Sequence, residues 1–144
     1  MKKLSILITV IALLCGTIIW AGKPATPAEK GIHFESITFN QALQEAKKEH
    51  KLVFMNVYAT WCVPCKMMMK NTLTTEKVGS VFNKDFINIS VDAEKGEGVE
   101  LVKRYQITGH PIMLVINPDG NVVKRILGYM DSDQLLAKVK GLTK

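Results

Sequence analysis

Apolar residues recur along the chain at spacings that predict alternating strands and helices after residue 31. Leu52–Tyr58 and Phe86–Val91 are apolar at almost every position, which is typical of strands buried inside a sheet that is covered on both faces. Thr38 and Asp131 each precede a helical pattern and are followed three residues later by glutamine, the arrangement of a capping box. These patterns predict two buried strands and two capped helices.

The remaining elements follow from shorter patterns, and the predicted order is β-α-β-α-β-α-β-β-α. The expected strands are Ile32–Ser36, Leu52–Tyr58, Phe86–Val91, Ile112–Ile116 and Val122–Leu127. The first expected helix runs from Thr38 to about Glu49, and the second begins at Cys62 and resumes after Thr72–Thr75 with Val78, Val81 and Phe82. A short helix with Leu101, Val102 and Tyr105 follows, and the last helix carries Leu135, Leu136, Val139 and Leu142. The turn Asn117–Gly120 makes the last two strands an antiparallel hairpin. This order predicts an α/β fold with a mixed sheet covered by helices on both faces.

The N-terminus is predicted to direct the chain out of the cytoplasm. Lys2 and Lys3 precede an uncharged apolar run that extends to Trp20, which is typical of a signal peptide cleaved after Ala21 or of a retained membrane anchor. Both alternatives place the rest of the chain outside the cytoplasm, because the lysines hold the N-terminus inside. We therefore divide the chain into a leader at 1–21, a proline-containing linker at 22–31 and one folded domain at 32–144. Cys15 lies in the leader, where we interpret it as an apolar residue of an apolar run.

Composition excludes several classes of protein. The 144 residues are 47% apolar and suffice for one packed domain. The formal charge is +6, but the basic residues are scattered along the chain rather than clustered with aromatic residues, so we expect no nucleic-acid binding. Three cysteines are too few for a disulfide-stapled scaffold, and only two remain once the leader is set aside.

Those two cysteines, Cys62 and Cys65, stand where a buried strand gives way to a helix. The free N–H groups and the dipole of a helix N-terminus stabilise an anion, so we expect the pKa of the Cys62 thiol to lie below that of a free cysteine. Cys65 is three residues later, on the same face and within disulfide reach. Pro64 occupies the first helical turn, where a missing N–H has no cost, and Lys66 adds positive potential. The sequence predicts a redox-active Cys62–Cys65 pair.

Metal binding is the main alternative from a different class. A four-ligand zinc site is disfavoured, because no further cysteine follows the leader and the three histidines are far apart in sequence. Met67, Met68 and Met69 suggest copper(I), yet consecutive helical residues point about 100° apart and do not converge on one ion, so we expect Met68 and Met69 to pack beside Cys65. A copper carrier that uses Cys62, Cys65 and His110 stays open, as does a non-catalytic peptide-binding module. We assign no resident metal site.

Three sequence blocks together carry a family resemblance from Phe34 to the C-terminus. They are YATWCVPCK after a buried strand, ITGHPIMLVINPDG around the later proline, and Gly128 followed by a final amphipathic helix. In these blocks the chain resembles thioredoxin-fold thiol-disulfide oxidoreductases. The resemblance implies a cis peptide bond at Pro111, which would present the His110 backbone beside Cys62, and it makes Trp61, His110 and Pro111 the expected substrate-binding residues.

The chain also departs from that family at positions near the sulfurs. Thioredoxins usually bury an acid six residues before the first cysteine and often place a lysine beneath it on the next strand, whereas here Asn56 and Asn88 stand at those positions. We hypothesise that both asparagines lie under Cys65 and tune its redox behaviour, so that Cys65 loses its proton to water or to another base. Alternatively, they satisfy backbone groups at the strand ends. His110 replaces a residue that is more often Thr, Val, Ile or Leu, and it either favours the Cys62 thiolate or is a loop histidine without a role.

The resulting functional hypothesis is an extracytoplasmic thiol-disulfide oxidoreductase. The chain resembles membrane-tethered reductases around its cysteines. However, the short spacing between the cysteines and Pro111 is closer to that of plain thioredoxins and of the C-terminal domain of the transmembrane electron-relay reductase. This likeness favours reduction of protein disulfides over their formation. We expect that the protein binds no cofactor and that its substrates are protein thiols and disulfides. Its expected redox partner is a membrane electron relay or another thiol protein. We also expect a monomer that contacts the membrane through the leader alone.

Overall fold

The computed structural model describes residues 30–143, so the predicted leader and most of the predicted linker lie outside the described residues. The helices are α1 (Phe39–Glu49), α2 (Val63–Met68), a π-helical turn (Met69–Leu73), α3 (Glu76–Asp85), α4 (Gly98–Arg104) and α5 (Ser132–Val139). The strands are β1 (Leu52–Tyr58), β2 (Phe86–Asp92), β3 (Ile112–Ile116) and β4 (Val122–Leu127). In this part of the chain no helix is both long and apolar enough to cross a bilayer.

The four strands form one mixed sheet in the order β2-β1-β3-β4. β1 and β2 run parallel, whereas β3 is antiparallel to β1 and β4 is antiparallel to β3. Because β1 and β2 are parallel neighbours, their carboxyl ends meet at one edge of the sheet. The predicted mixed sheet is confirmed.

Helices cover both faces of the sheet, as the sequence predicted. Successive residues of β1 alternate between two cores: Val53 and Met55 join the core on one face, and Phe54 joins the core on the other. The first core is closed by α1 and α4, and the second by α2, the π-helical turn, α3 and α5. β1 is therefore apolar on both sides, which explains its nearly continuous run of apolar residues.

The two predicted capping boxes are present. The side chain of Thr38 accepts a hydrogen bond from the Gln41 N–H and the Gln41 side chain accepts one from the Thr38 N–H, which satisfies two of the free donors at the start of α1. Asp131 and Gln134 repeat this exchange at the start of α5. These local bonds fix where both helices begin.

The prediction of a strand at Ile32–Ser36 is wrong. This segment is extended but bonds to two different elements: the Ile32 N–H donates to the Leu73 carbonyl at 2.7 Å, and the Glu35 N–H donates to the Asn88 carbonyl at 2.8 Å. A strand needs a ladder of bonds along one neighbour, and a single bond to β2 does not make one. The segment therefore crosses over the second core instead of extending the sheet.

The predicted helix break at Thr72–Thr75 begins two residues later than expected. The helix that follows Cys65 continues as the π-helical turn to Leu73, and Thr72 lies inside it, fully buried. The Thr72 hydroxyl donates to the Met130 carbonyl at 2.6 Å, just before α5. This tertiary hydrogen bond holds a threonine in a helical turn that its intrinsic preference disfavours.

Candidate active site

The two cysteines lie at the N-terminus of α2, directly after the loop that follows β1. Cys62 is the N-cap residue, and Cys65 lies in the first turn with Pro64 before it. The two sulfurs form a disulfide with an S–S distance of 2.02 Å and a Cα–Cα distance of 5.3 Å, so the predicted pairing is confirmed. The Cys65 N–H donates to the Cys62 sulfur at 3.2 Å. One of the free donors of the helix start therefore points at the sulfur that we expect to carry negative charge when the pair is reduced.

Both sulfur-bearing residues are shielded while their neighbour is exposed. Cys62 and Cys65 are 3% and 2% exposed, whereas Trp61 is 65% exposed. The Trp61 indole N–H donates to a carboxylate oxygen of Glu94 at 2.9 Å, and the His110 ring stands edge-on to the indole with 6.4 Å between ring centroids. Trp61, which directly precedes Cys62, therefore contacts groups from two loops.

Glu94 was not predicted from the sequence. It follows β2, and it reaches Trp61 because the carboxyl ends of the parallel strands β1 and β2 lie side by side. The Ala93 N–H donates to the Tyr58 carbonyl at 2.8 Å, which continues the contact past the strand ends. Only knowledge of which strands pair could have identified this residue.

His110 and Pro111 precede β3. The peptide bond between them is cis, and the Pro111 carbonyl accepts from the Gly128 N–H at 2.9 Å. The Nδ1 atom of His110 is buried and has no hydrogen-bond partner among the described residues. A buried polar atom without a partner is unusual in a folded protein, and a redox or catalytic role is one of its recognised explanations.

Asn56 lies beneath the helix that carries Cys65. Its side chain is 2% exposed, and its amide nitrogen donates to the Ser90 hydroxyl oxygen at 3.0 Å and to the Met69 sulfur at 3.6 Å. Ser90, Met69 and Cys65 line one groove of about 770 Å³. Asn56 thus links β1, β2 and the π-helical turn through two residues that line this groove.

Asn88 does not share this location, contrary to the hypothesis that it lies under Cys65. Its amide nitrogen donates to the Phe82 carbonyl at 3.1 Å, and Ser90 rather than Asn88 is the β2 residue that pairs with Asn56. Asn88 lines a separate pocket with Glu35 and Asn83, away from the cysteines. The alternative interpretation does not describe Asn88 either, because the Phe82 carbonyl that it contacts lies in α3 rather than at a strand end and also accepts the Phe86 N–H.

The three consecutive methionines point in different directions. Met67 is 43% exposed, Met68 is 1% exposed in the second core, and Met69 lines the groove and contacts Asn56. The expectation that Met68 packs in the core is confirmed. Within residues 30–143 no group of three or more His, Cys, Asp or Glu side chains could hold a metal ion.

The charges that line the groove are positive. Lys66 and Lys70 lie on its rim, and none of its lining residues carries a carboxylate. An ammonium group near a thiol favours the thiolate, whereas a carboxylate disfavours it. The charged side chains that line the groove with Cys65 are therefore ammonium groups alone.

Comparison with known proteins matches this geometry. Residues 39–142 match the family model of the thioredoxin-like domain. A protein from Bacteroides thetaiotaomicron described as a disulphide isomerase has a structure that superimposes with a TM-score of 0.69 at 43% identity, covering 81% of this chain and 96% of that one. The oxidised C-terminal domain of DsbD from Neisseria meningitidis superimposes with a TM-score of 0.61 at 29% identity, covering 76% of this chain and 97% of the domain.

A full-length relative shows how much of a larger protein this chain represents. The thiol:disulfide interchange protein DsbD of Yersinia pestis is 32% identical over 124 residues, which is 81% of this chain and 21% of DsbD. The chain thus spans about a fifth of the length of the curated relatives it matches. The sheet, the disulfide at a helix N-terminus and these matches establish that the chain belongs to the thioredoxin-like domain family, as a thiol-disulfide oxidoreductase whose disulfide joins Cys62 to Cys65.

Proposed function

We propose that this protein reduces protein disulfides outside the cytoplasm by exchange with its Cys62–Cys65 pair. The observation that carries the proposal is the position of this pair: the Cys62 sulfur accepts a helix-start N–H and lies beside the exposed Trp61. A thiolate held at a helix N-terminus is a nucleophile near neutral pH. Its nearness to an exposed aromatic side chain suits attack on a partner protein.

The proposed reaction has two exchange steps. The Cys62 thiolate attacks one sulfur of a substrate disulfide, a Cys62–substrate bond forms, and the other substrate sulfur leaves as a thiolate. Cys65 then loses its proton and attacks the Cys62 sulfur, which releases the second substrate thiolate and leaves the Cys62–Cys65 disulfide. Two electrons pass from the cysteine pair to the substrate, and both substrate thiolates take protons from solvent.

We propose that the substrate binds across Trp61, His110 and Pro111. Trp61 offers an exposed ring, and His110 contacts that ring from the loop before β3. An extended substrate segment between them would place its disulfide beside Cys62. Pro64 stiffens the loop between the two sulfurs, and Lys66 adds positive charge next to Cys65.

Location and partners are part of the proposal. The apolar leader with its lysine start supports export or anchoring, and the likeness to the C-terminal domain of DsbD supports work with other thiol proteins. After each cycle the Cys62–Cys65 disulfide must be reduced again, so the proposal includes an electron-supplying partner, either a membrane relay or another dithiol protein. No separate cofactor is needed, because the cysteine pair itself carries two electrons.

The experiment uses the full chain with Cys15→Ser in every sample, so that only the pair is redox-active. We expect the protein to accelerate reduction of insulin disulfides by dithiothreitol, and we expect Cys62→Ser to abolish the acceleration. Cys65→Ser should accumulate a mixed disulfide at Cys62, visible as a substrate-sized mass increase that dithiothreitol removes. An undiminished rate in the Cys62→Ser variant would contradict the proposal.

The direction of the reaction has its own test. Equilibration of the same protein with glutathione redox buffers gives the reduction potential of the pair. A potential more negative than about −230 mV, in the range of reducing dithiol proteins, is expected, and a value near the roughly −120 mV of strong oxidants would assign it the opposite role.

A further inference from the structure

We propose that Cys65 exchanges its proton with solvent through the groove lined by Ser90, and that Asn56 orients the Ser90 hydroxyl for this transfer. The inference rests on the proposed function, because it concerns the step in which Cys65 attacks the mixed disulfide. It assigns a positioning role to Ser90 and a solvent route to the groove.

The first observation is that Cys65 faces the groove, whereas Cys62 does not line it. The groove is lined by Cys65 and Ser90 together with residues of the extended N-terminal segment, β1 and the π-helical turn, and it is largely apolar. Neither Trp61 nor His110 lines it. Solvent in the groove can therefore reach Cys65 along a surface that neither Trp61 nor His110 lines.

The second observation is the direction of the hydrogen bond between Asn56 and Ser90. An amide nitrogen can only donate, so the Ser90 oxygen is the acceptor in the 3.0 Å contact. The Ser90 hydroxyl hydrogen thus points away from Asn56. Because Ser90 is partly exposed and lines the groove, its hydroxyl can donate to a water there and hold it near the Cys65 sulfur.

The third observation is the character of the ionisable groups around Cys65. Those that line the groove with it are Tyr58 of β1, Lys66 of α2 and Lys70 of the π-helical turn, and none of them is a carboxylic acid. Met69 and Ser90, which also line the groove and bond to the buried Asn56, are uncharged. The proton must therefore pass to water, and the two ammonium groups stabilise the thiolate that remains.

The Cys65 S–H bond breaks, its proton passes to water in the groove, and the sulfur keeps the electron pair. That pair forms the new bond to the Cys62 sulfur, the bond between Cys62 and the substrate sulfur breaks, and the substrate leaves as a thiolate. No oxidant or reductant is required beyond the substrate disulfide itself.

The test separates the two exchange steps in time with a small aromatic disulfide, 5,5′-dithiobis(2-nitrobenzoate). In the reduced full chain carrying Cys15→Ser, attack by Cys62 releases one coloured thiolate and attack by Cys65 releases a second. With limiting reagent in a stopped-flow instrument, we expect Ser90→Ala to slow the second release about 3- to 10-fold at pH 7, the effect of losing one hydrogen bond, and to leave the first within about twofold. Ser90→Thr, which keeps a hydroxyl, should restore the rate of the second release. Ser80→Ala, on the exposed face of α3, is the matched control and should change neither release.

Rescue by a small base distinguishes a proton-transfer role from a merely structural one. Rising imidazole concentration at constant pH and ionic strength should accelerate the second release in Ser90→Ala and have little effect in the parent protein. An unchanged second release in Ser90→Ala, or a slow one that neither imidazole nor Ser90→Thr restores, would overturn the inference. If the parent protein itself gave no second release, the proposed function would fail instead.

Discussion

Asn56 lies next to Ser90 and Met69, two residues that line the groove with Cys65. Its amide is buried and bonded to Ser90 and Met69, so β1 contributes no charge at this level of the site. A buried carboxylate at the same place would lack a partner of opposite charge within the contacts that Asn56 makes, and it would oppose a negative charge on Cys65. We therefore propose that the neutrality of the side chain at position 56 is part of the site's chemistry.

We predict that Asn56→Asp changes how fast mixed disulfides resolve. The added negative charge should raise the pKa of the Cys65 thiol and shift the pH profile of the second thiolate release to higher pH by about one unit. Asn88→Asp is the control, because position 88 lines a different pocket and should leave this profile in place even if the fold is less stable. Superimposable pH profiles for Asn56→Asp and the parent protein would contradict the proposal that position 56 influences Cys65.

Tyr105 links pH to stability far from the sulfurs. Burial raises the pKa of its hydroxyl above the usual 10.0, and the neighbouring Arg104 partly offsets this. The neutral hydroxyl donates to the Gly120 carbonyl at 2.9 Å. Because the folded-state pKa is the higher one, this contribution to stability is complete below about pH 10 and is lost as the pH rises from there through the folded-state value.

Urea unfolding at pH 7 to 11 checks this prediction. The parent protein should lose stability above about pH 10, and Tyr105→Phe should show a smaller loss over that range. At pH 7 the variant should be about 1 kcal/mol less stable, since its ring can no longer donate to Gly120. Equal alkaline losses in both proteins would show that Tyr105 is not responsible.

At the scale of elements, the extended segment after residue 30 is held against α3 by a close backbone approach. A Cβ atom added at Gly79 would fall on the Gly31 carbonyl, and the Asn83 side chain donates to that same carbonyl at 3.0 Å. Glycine at position 79 is required for this approach, although a helix interior normally disfavours it. The contact places Phe34 of the segment along the groove beside Cys65.

We predict that Gly79→Ala destabilises the protein by about 1–3 kcal/mol, because the segment must move away from α3. Alanine has the better helix propensity, so a free helix would respond in the opposite direction. Ser80→Ala, one residue later on the exposed side of α3, should change stability by less than about 0.5 kcal/mol. Midpoints of chemical unfolding measure both, and a neutral or stabilising Gly79→Ala would contradict the close packing.

Elements with strong local signals could be predicted from sequence, and those decided by tertiary contacts could not. The apolar run of β1 and the capping boxes at Thr38 and Asp131 identify their elements within one or two residues. The segment Ile32–Ser36 has the pattern of a strand, but its hydrogen bonds go to two separate elements, which no local pattern reveals. The π-helical turn at Thr72 likewise depends on a bond to Met130, 58 residues away.

The same division applies to the site. The cysteine pair is evident from its position between a buried strand and a helix, but Ser90 and Glu94 become site residues only through the pairing of β1 with β2. Asn88 was misplaced for the same reason. The family pattern identifies the strand position of Asn88, whereas the hydrogen bond of its amide to the Phe82 carbonyl depends on how α3 packs against β2.

At the scale of the whole molecule, the fold separates two approaches to one disulfide. Trp61 and His110 stand together on the side of the proposed substrate contacts, and the groove with Ser90, Lys66 and Lys70 opens beside Cys65. Both approaches exist because the ends of β1 and β2 and the start of β3 meet at the N-terminus of α2. The proposed mechanism uses these two approaches, with Cys62 as the attacking thiol and Cys65 as the resolving thiol.

Alkylation rates of the reduced full chain with Cys15→Ser test this assignment most directly. The protein is mixed with limiting iodoacetamide at pH 7, quenched at intervals and digested, and the modified fraction at each cysteine is measured by mass spectrometry beside glutathione. The account predicts that Cys62 reacts at least about tenfold faster than glutathione and that Cys65 reacts more slowly than Cys62. A Cys62 no faster than glutathione, or a Cys65 faster than Cys62, would contradict it.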